Sequence, residues 1–174
     1  MLNLQFETRS GQLLVQRDGD ELAMDFPAKV VETLTMEAEV KAALGINEIE
    51  ELLISDDIVV VVNDAQLIES LTPDMQQLKR LPGRGIVVTA KGSDVDVVSR
   101  WFGPKVGVEE DPVTGSAHTS LAPYWAKRLG KQQLTARQGG ARKGALSCEI
   151  EGDRVIIKGR VTPYLKGVIT LPPQ

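Results

Sequence analysis

The sequence is poor in cysteine, aromatic residues and net positive charge, and each shortage excludes a class of protein. Cys148 is the single cysteine among 174 residues, which excludes an internal disulfide and any metal site built from several cysteines. Aromatic residues make up 4% of the chain, and a formal net charge of −4 is spread along it without a basic patch. Because nucleic-acid binding needs positive charge and stacking surfaces, we expect no nucleic-acid partner.

Long apolar runs are absent as well. The longest purely apolar run covers residues 58–62, whereas a membrane-spanning helix needs about 20 such residues. The first seven residues lack the basic segment and apolar core of a secretory signal. We therefore expect a cytoplasmic protein with no membrane partner. Its length and its 42% of hydrophobic residues suffice for one ordinary domain.

Motifs for cofactors and metals are missing too. Gly83-Arg84-Gly85 resembles the start of a dinucleotide-binding turn, but Val88 occupies the position of the third glycine. The chain has no phosphate-binding loop and no His-Glu-x-x-His zinc motif. We expect neither a cofactor nor a metal. Cys148 lies in a strand-like run, and we expect it to be a small buried hydrophobe rather than a reactive thiol.

Apolar periodicity and turn residues predict a domain that is mostly sheet with a few helices. Helices are predicted over residues 35–44, with Thr35 as N-cap, and over residues 73–81 and 117–129. Strands are predicted over residues 2–6, 13–15, 22–26, 48–54, 58–63, 86–90, 95–102, 133–138, 146–150, 154–158 and 168–171. The run at 58–62 is continuously apolar, so we expect it to be covered on both faces.

The most informative stretch is residues 109–118, Glu-Glu-Asp-Pro-Val-Thr-Gly-Ser-Ala-His. Asp111-Pro112 favours a turn, and the predicted helix that follows ends at Gly130. The first N–H groups of this helix, at Gly115, Ser116 and Ala117, carry partial positive charge and would stabilise a carboxylate or phosphate. Pro123 predicts a kink or a loose turn in this helix.

The same stretch resembles the second signature motif of the PhzF-like isomerases, a phenazine-biosynthesis family that shares the fold of diaminopimelate epimerase. The resemblance covers residues 109–131 and extends to residues 138–144 and 6–11. It implies an α+β fold, a diaminopimelate epimerase-like domain with a mostly antiparallel or mixed sheet wrapped around a central apolar helix. Gly140 stands where the family leads us to expect serine, and Lys143 where we expect glycine.

Members of that family are longer and have two similar domains. Their first domain carries a glutamate that shuttles the proton and a Gly-His motif, and neither occurs in this sequence, whose single histidine is His118. The resemblance thus implies that residues 1–28 are a strand remnant of the first domain and residues 29–174 are the second domain. Activity would then require a homodimer or a complementary first-domain chain.

The resemblance assigns Asp111 and His118 to catalysis, and each has a structural alternative. Asp111 either holds a substrate amine or hydroxyl, or accepts backbone N–H bonds as a turn aspartate. His118 is either a neutral donor or acceptor in the site, or a satisfied semi-buried histidine. Ser116 is either the N-cap alone or also a ligand of the substrate carboxylate.

A glycine-rich loop follows Gln138. Its Arg142 either gives a guanidinium to a substrate carboxylate or is solvated at the surface. With Gly115, Ser116 and Ala117, Arg142 completes the predicted substrate-binding set. The function implied is a cofactor-independent isomerase or epimerase that moves a proton on a small carboxylate substrate. The alternative is a non-catalytic remnant that binds an anion or a partner chain.

Overall fold

The computed structural model of the protein describes residues 3–8, 11–168 and 170. Within these ranges there are twelve strands: β1 (Asn3–Thr8), β2 (Gly11–Asp18), β3 (Glu21–Pro27), β4 (Glu32–Thr33), β5 (Glu51–Ile54), β6 (Ile58–Val61), β7 (Ile86–Lys91), β8 (Val97–Gly103), β9 (Val108–Asp111), β10 (Gln133–Gln138), β11 (Gly144–Glu151) and β12 (Arg154–Arg160). They form one sheet in the order β1-β2-β3-β12-β11-β10-β8-β7-β6-β5-β4, and β9 pairs with β8. Two pairs are parallel, β6 with β7 and β8 with β10, and the others are antiparallel.

The described helices are few, and the longest lies at the centre of the fold. They are α1 (Glu37–Leu44), α2 (Ala65–Ser70), α3 (Met75–Leu78) and α4 (Gly115–Leu129), with a short 3-10 helix at Pro104–Val106. Gly45 and Gly130 follow α1 and α4 in the left-handed conformation, at φ 68° and 65°, and the predicted end of α4 at Gly130 is confirmed.

Two apolar cores lie on opposite faces of the sheet, and β6 contributes to both. Val59 and Val61 pack in the core that contains α4, whereas Ile58 and Val60 pack in the core that contains α1. All four side chains are fully buried. The prediction that this strand is covered on both faces is confirmed, and it explains why the sequence shows a continuous apolar run instead of alternation.

Helix α4 is buried on more than one face, in agreement with the central apolar helix that the family resemblance implies. Trp125 donates from Nε1 to Thr89 Oγ1 of β7 at 3.0 Å. The helix is unbroken at Pro123. Proline has no N–H for the carbonyl four residues earlier, which belongs to Thr119, and this carbonyl accepts a bond from Lys29 N at 2.9 Å instead.

Several predicted boundaries were wrong. Helix α1 begins at Glu37 with Met36 as N-cap, so Thr35 does not cap it. The helix predicted over residues 73–81 is the four-residue α3, which Asp74 caps by accepting from Gln76 N and Gln77 N at 2.8 and 3.1 Å. The unpredicted α2 precedes it, and β4 and β9 were also unpredicted.

The predicted strand at 48–54 begins at Glu51, and the one at 95–102 begins at Val97. Val168 and Thr170 are not in a strand, and the rest of the predicted strand at 168–171 lies outside the described residues, as does Leu2. The strands at 3–27 join the rest of the sheet where β3 pairs with β12. The division into domains at residue 28 stays a prediction.

Candidate active site

The motif at residues 109–118 spans a strand, a turn and the start of α4. Strand β9 pairs with β8, with Asp111 opposite Trp101 and an irregularity before Gly103. The acidic first part of the motif is therefore fixed in the sheet. Thr114 is the N-cap of α4, and Ser116 lies inside the first turn, so the prediction of Ser116 as N-cap was wrong.

Asp111 shapes the turn that leads into the helix. Its carboxylate accepts from Val113 N at 3.3 Å and from Thr114 Oγ1 at 2.9 Å. Gln138, which is fully buried, donates from Nε2 to the Asp111 carbonyl and to Thr114 Oγ1, both at 2.9 Å. These bonds are those of a turn aspartate, and a contact between Asp111 and substrate stays a prediction.

The start of α4 retains two backbone donors. Ala117 N donates to the Thr114 carbonyl at 3.2 Å, whereas the N–H groups of Gly115 and Ser116 have no acceptor among the described residues. A Cβ added at Gly115 would meet one atom within 4 Å, Met24 Cε at 3.9 Å. Gly115 and Val113 line an apolar cleft of about 790 Å³ between the start of the helix and strands β3, β10, β11 and β12. A small anion thus has donors and room at this place.

His118 is buried, with 1% of its surface exposed. Its Nδ1 lies 3.0 Å from the Thr114 carbonyl, so Nδ1–H donates there and Nε2 is the unprotonated nitrogen. Nε2 has no partner among the described residues. Burial lowers the pKa of His118, and the hydrogen bond to Thr114 opposes this shift in part. The ring thus binds the carbonyl of Thr114 at the start of α4. Its catalytic role stays a prediction.

The burial of His118 predicts a pH-dependent stability. The unfolded chain takes up a proton near pH 6.5, whereas the buried ring does not, so acid favours unfolding. We expect the free energy of unfolding to fall by up to about 1.4 kcal/mol per pH unit below about pH 6.5, until the folded pKa is reached. Urea denaturation from pH 7.5 to 5.5 measures this slope.

His118 is the single histidine, which makes the test clean. In His118→Phe the slope between pH 6.5 and 5.5 should be lost, since carboxylates titrate lower. A wild-type chain whose unfolding free energy is flat over this window contradicts the assignment.

Comparison with known proteins agrees with this architecture. The family profile described as phenazine biosynthesis-like protein, PhzC-PhzF, matches residues 2–167. The chain belongs to this family. An uncharacterized isomerase of Pseudomonas aeruginosa is 58% identical over 168 residues, a match that covers 97% of this chain and 64% of that protein. The chain therefore spans less than two thirds of that relative's length.

Solved structures show the same fold. A phenazine biosynthesis protein of the PhzF family from Enterococcus faecalis is 42% identical, with a TM-score of 0.89 over 97% of this chain and 65% of that one. A hydroxyproline epimerase from Agrobacterium vitis has a TM-score of 0.53 at 14% identity, over 94% of this chain and 57% of its own, which shows a common fold. The predicted diaminopimelate epimerase-like fold is confirmed.

The loop after Gln138 departs from the expected PhzF pattern, and the structure explains one departure. A Cβ at Gly140 would lie 2.9 Å from the guanidinium of Arg100, so this guanidinium leaves no room for a serine. Gly140 N donates to Glu110 Oε1 at 2.8 Å, which fixes the loop to the motif. Nothing in the structure explains Lys143, which pairs with Glu69 at 2.6 Å.

The backbone of the predicted residue Arg142 lies beside the turn that precedes α4, since a Cβ at Gly139 would meet the carbonyl oxygens of Arg142 and Pro112 at 2.0 and 3.0 Å. Arg142 is exposed and has no hydrogen bond or ion pair with a described residue. Cys148 is 2% exposed, and burial raises its pKa to about 12, so its predicted burial is confirmed. Sequence reasoning missed Arg84 and Arg100, and the glycines beside Arg84 were the one signal available.

The described residues contain no group of three or more His, Cys, Asp or Glu side chains arranged to hold a metal ion. None of their helices is both long and apolar enough to cross a membrane.

Proposed function

We propose that this PhzF-family chain supplies the carboxylate-binding half of a cofactor-independent isomerase that moves a proton on a small carboxylate substrate. The observation that supports it is the start of α4, where the N–H groups of Gly115 and Ser116 have no acceptor in the described part of the chain and lie beside an open cleft. Developing negative charge on the substrate carboxylate or its enolate is stabilised by such fixed donors. The relatives named as isomerases support the same class of reaction.

The proton would be moved by a base from a second polypeptide. Within this chain the Asp111 carboxylate is used in the turn and the His118 ring is buried, so neither presents a free base at the cleft. A complementary first-domain chain or a second copy of this chain would supply the base. Leu4 and Phe6 of β1 are 46% and 47% exposed and offer apolar surface for such a partner.

Binding of an anion at the start of α4 is the first test. We expect millimolar acetate or lactate to shift the backbone amide signals of Gly115 and Ser116 in NMR spectra of the labelled chain. Gly130, at the opposite end of the same helix, is the internal control and should not shift. If the signals of Gly115 and Ser116 stay in place throughout the titration, the proposal is wrong.

The same observations about Asp111 and His118 favour a second candidate, a non-catalytic domain that binds a small anion without turnover. Both candidates predict the amide shifts. They differ in whether a complementary chain produces proton exchange on the substrate.

A further inference from the structure

The Gly83-Arg84-Gly85 loop contacts the start of α4 through Arg84, and its two glycines occupy positions that other residues do not fit. Gly83 has φ +77°, a region that disfavours other residues. A Cβ at Gly85 would lie 2.6 Å from the Trp101 ring and 2.7 Å from the Phe102 carbonyl, so only glycine fits. Arg84 N donates to the Asp56 carbonyl at 2.8 Å. Arg84 therefore lies between strand β8, which Gly85 contacts, and the turn before β6, to which its N–H is bonded.

The side chain of Arg84 is 36% exposed and is oriented by hydrogen bonds. Its Nε and Nη2 donate to the two carboxylate oxygens of Asp57 at 3.1 and 2.6 Å. Asp57 is 2% exposed, so its charge needs this partner. The guanidinium also lies 5.4 Å from the centre of the Trp101 ring. Arg84 has a raised pKa, chiefly because of the hydrogen bond to Asp57, with smaller effects of Asp56 and Asp111.

The same guanidinium reaches the first turn of α4. Arg84 Nη2 donates to Ser116 Oγ at 2.9 Å. A serine hydroxyl has one proton and two lone pairs, so the bond from Arg84 occupies a lone pair and leaves the proton free to donate. Asp57 largely balances the charge of Arg84. The hydrogen bond from Arg84 therefore orients the Ser116 hydroxyl, and adds little electrostatic attraction for an anion.

We propose that Arg84 is a positioning residue that fixes the Ser116 hydroxyl as a hydrogen-bond donor to the substrate carboxylate. The inference rests on the proposed function, because it concerns the same carboxylate site. It assigns to the Gly-Arg-Gly loop a role that its resemblance to a dinucleotide-binding turn does not suggest. The pair with Asp57 holds the guanidinium, and the guanidinium holds Ser116.

Acetate binding to four forms of the chain tests the inference: wild type, Arg84→Gln, Ser116→Ala and the double variant. We expect each single change to weaken acetate binding about three- to ten-fold, the range of one hydrogen bond. The double variant should be no weaker than Ser116→Ala, because Arg84 acts through that hydroxyl. A merely structural role of Arg84 would instead make the two losses multiply, which would overturn the inference.

Two further variants separate orientation from charge and from damage to the fold. Arg84→Lys keeps the charge but lacks the planar fork, so it should not restore affinity; full restoration overturns the inference. Arg137→Gln breaks a comparable fork, made with Asp94 at 2.5 and 3.0 Å on the surface, and should bind acetate like wild type. If Arg137→Gln loses as much acetate affinity as Arg84→Gln, the effect of Arg84 is one of general destabilisation, and the inference is wrong.

Failure of the proposed function gives a different result from failure of this inference. A wild-type chain without acetate shifts at Gly115 and Ser116 overturns both. If the wild-type chain binds acetate and Arg84→Gln binds it with the same affinity, the inference is wrong and the proposed function stands. If Arg84→Gln does not fold, the variant that also carries Asp57→Asn removes the unpaired buried carboxylate. If that fails too, scalar couplings of Ser116 in the wild-type chain decide, since rotamer averaging there overturns the inference.

Discussion

Replacing Arg100 by alanine is expected to lower the free energy of unfolding by about 2–4 kcal/mol, because it breaks the charge-assisted hydrogen bonds to Glu110, whose side chain is 26% exposed, and removes the donor of two backbone carbonyls. The Arg100 side chain is 11% exposed. Its Nε and Nη2 donate to the two carboxylate oxygens of Glu110, each at 2.8 Å. Its Nη1 donates to the carbonyls of Ile68 and Leu71 at 3.1 and 2.9 Å. One side chain thus connects β8, the motif strand β9 and the end of α2.

Chemical denaturation of Arg100→Ala and wild type measures this cost. Arg137→Ala is the control, because it removes an arginine that is 33% exposed and paired with an exposed aspartate. Such a surface pair contributes about 0–1 kcal/mol. Equal losses in the two variants would mean that the Arg100–Glu110 pair is no more important than a surface pair. Removing the Arg100 side chain should also loosen the loop at Gly140, because the N–H of Gly140 is bound to Glu110, the partner of Arg100.

Proton exchange is expected to be almost absent from the chain alone and to rise about 10²–10⁴-fold when a base is supplied, the usual contribution of general acid–base catalysis. The substrate probe is a panel of small α-amino and α-hydroxy carboxylates in deuterated water, followed by NMR. Exchange at the carbon next to the carboxylate is compared for the isolated chain and for the chain mixed with the remaining part of the Pseudomonas relative. We expect almost no exchange by the isolated chain because Asp111 and His118 present no free base at the cleft.

Each outcome assigns a different role to the chain. Exchange by the chain alone, rising more steeply than its concentration, indicates a homodimer that completes the site. Exchange by the chain alone in direct proportion to its concentration shows that Asp111 or His118 serves as the base, and contradicts the prediction. Exchange that stays absent for the whole panel in the mixture favours the non-catalytic domain.

The sequence predicted the central helix and most of the sheet because their signals are long and periodic. Helix α4 was predicted within two residues of its observed start, since its apolar residues recur every four positions up to Gly130. Helices α2 and α3 have six and four residues, too few to show a period. Strand β9 reads Val-Glu-Glu-Asp, and pairing with β8 overrides the low strand propensity of its acidic residues.

The candidate site was predictable where a motif carries it and hidden where distant residues build it. Gly115 and Ser116 follow from a helix start that can be read locally. The bond from Arg84 to Ser116 and the bonds from Gln138 to Asp111 join parts of the chain that only the fold brings together. The burial of His118 is likewise a property of the packed sheet and helix, which a local pattern does not reveal.

The bond between Lys29 N and the Thr119 carbonyl makes the central helix dependent on a remote segment for one of its own hydrogen bonds. Because Pro123 removes the local donor, this carbonyl stays unsatisfied until the chain after β3 has docked against α4. Closing so large a loop costs entropy, so the bond belongs to the late, cooperative part of folding. The solvent exchange rate of a single amide, that of Lys29, therefore reports whether the strands at the start of the chain are docked on its centre.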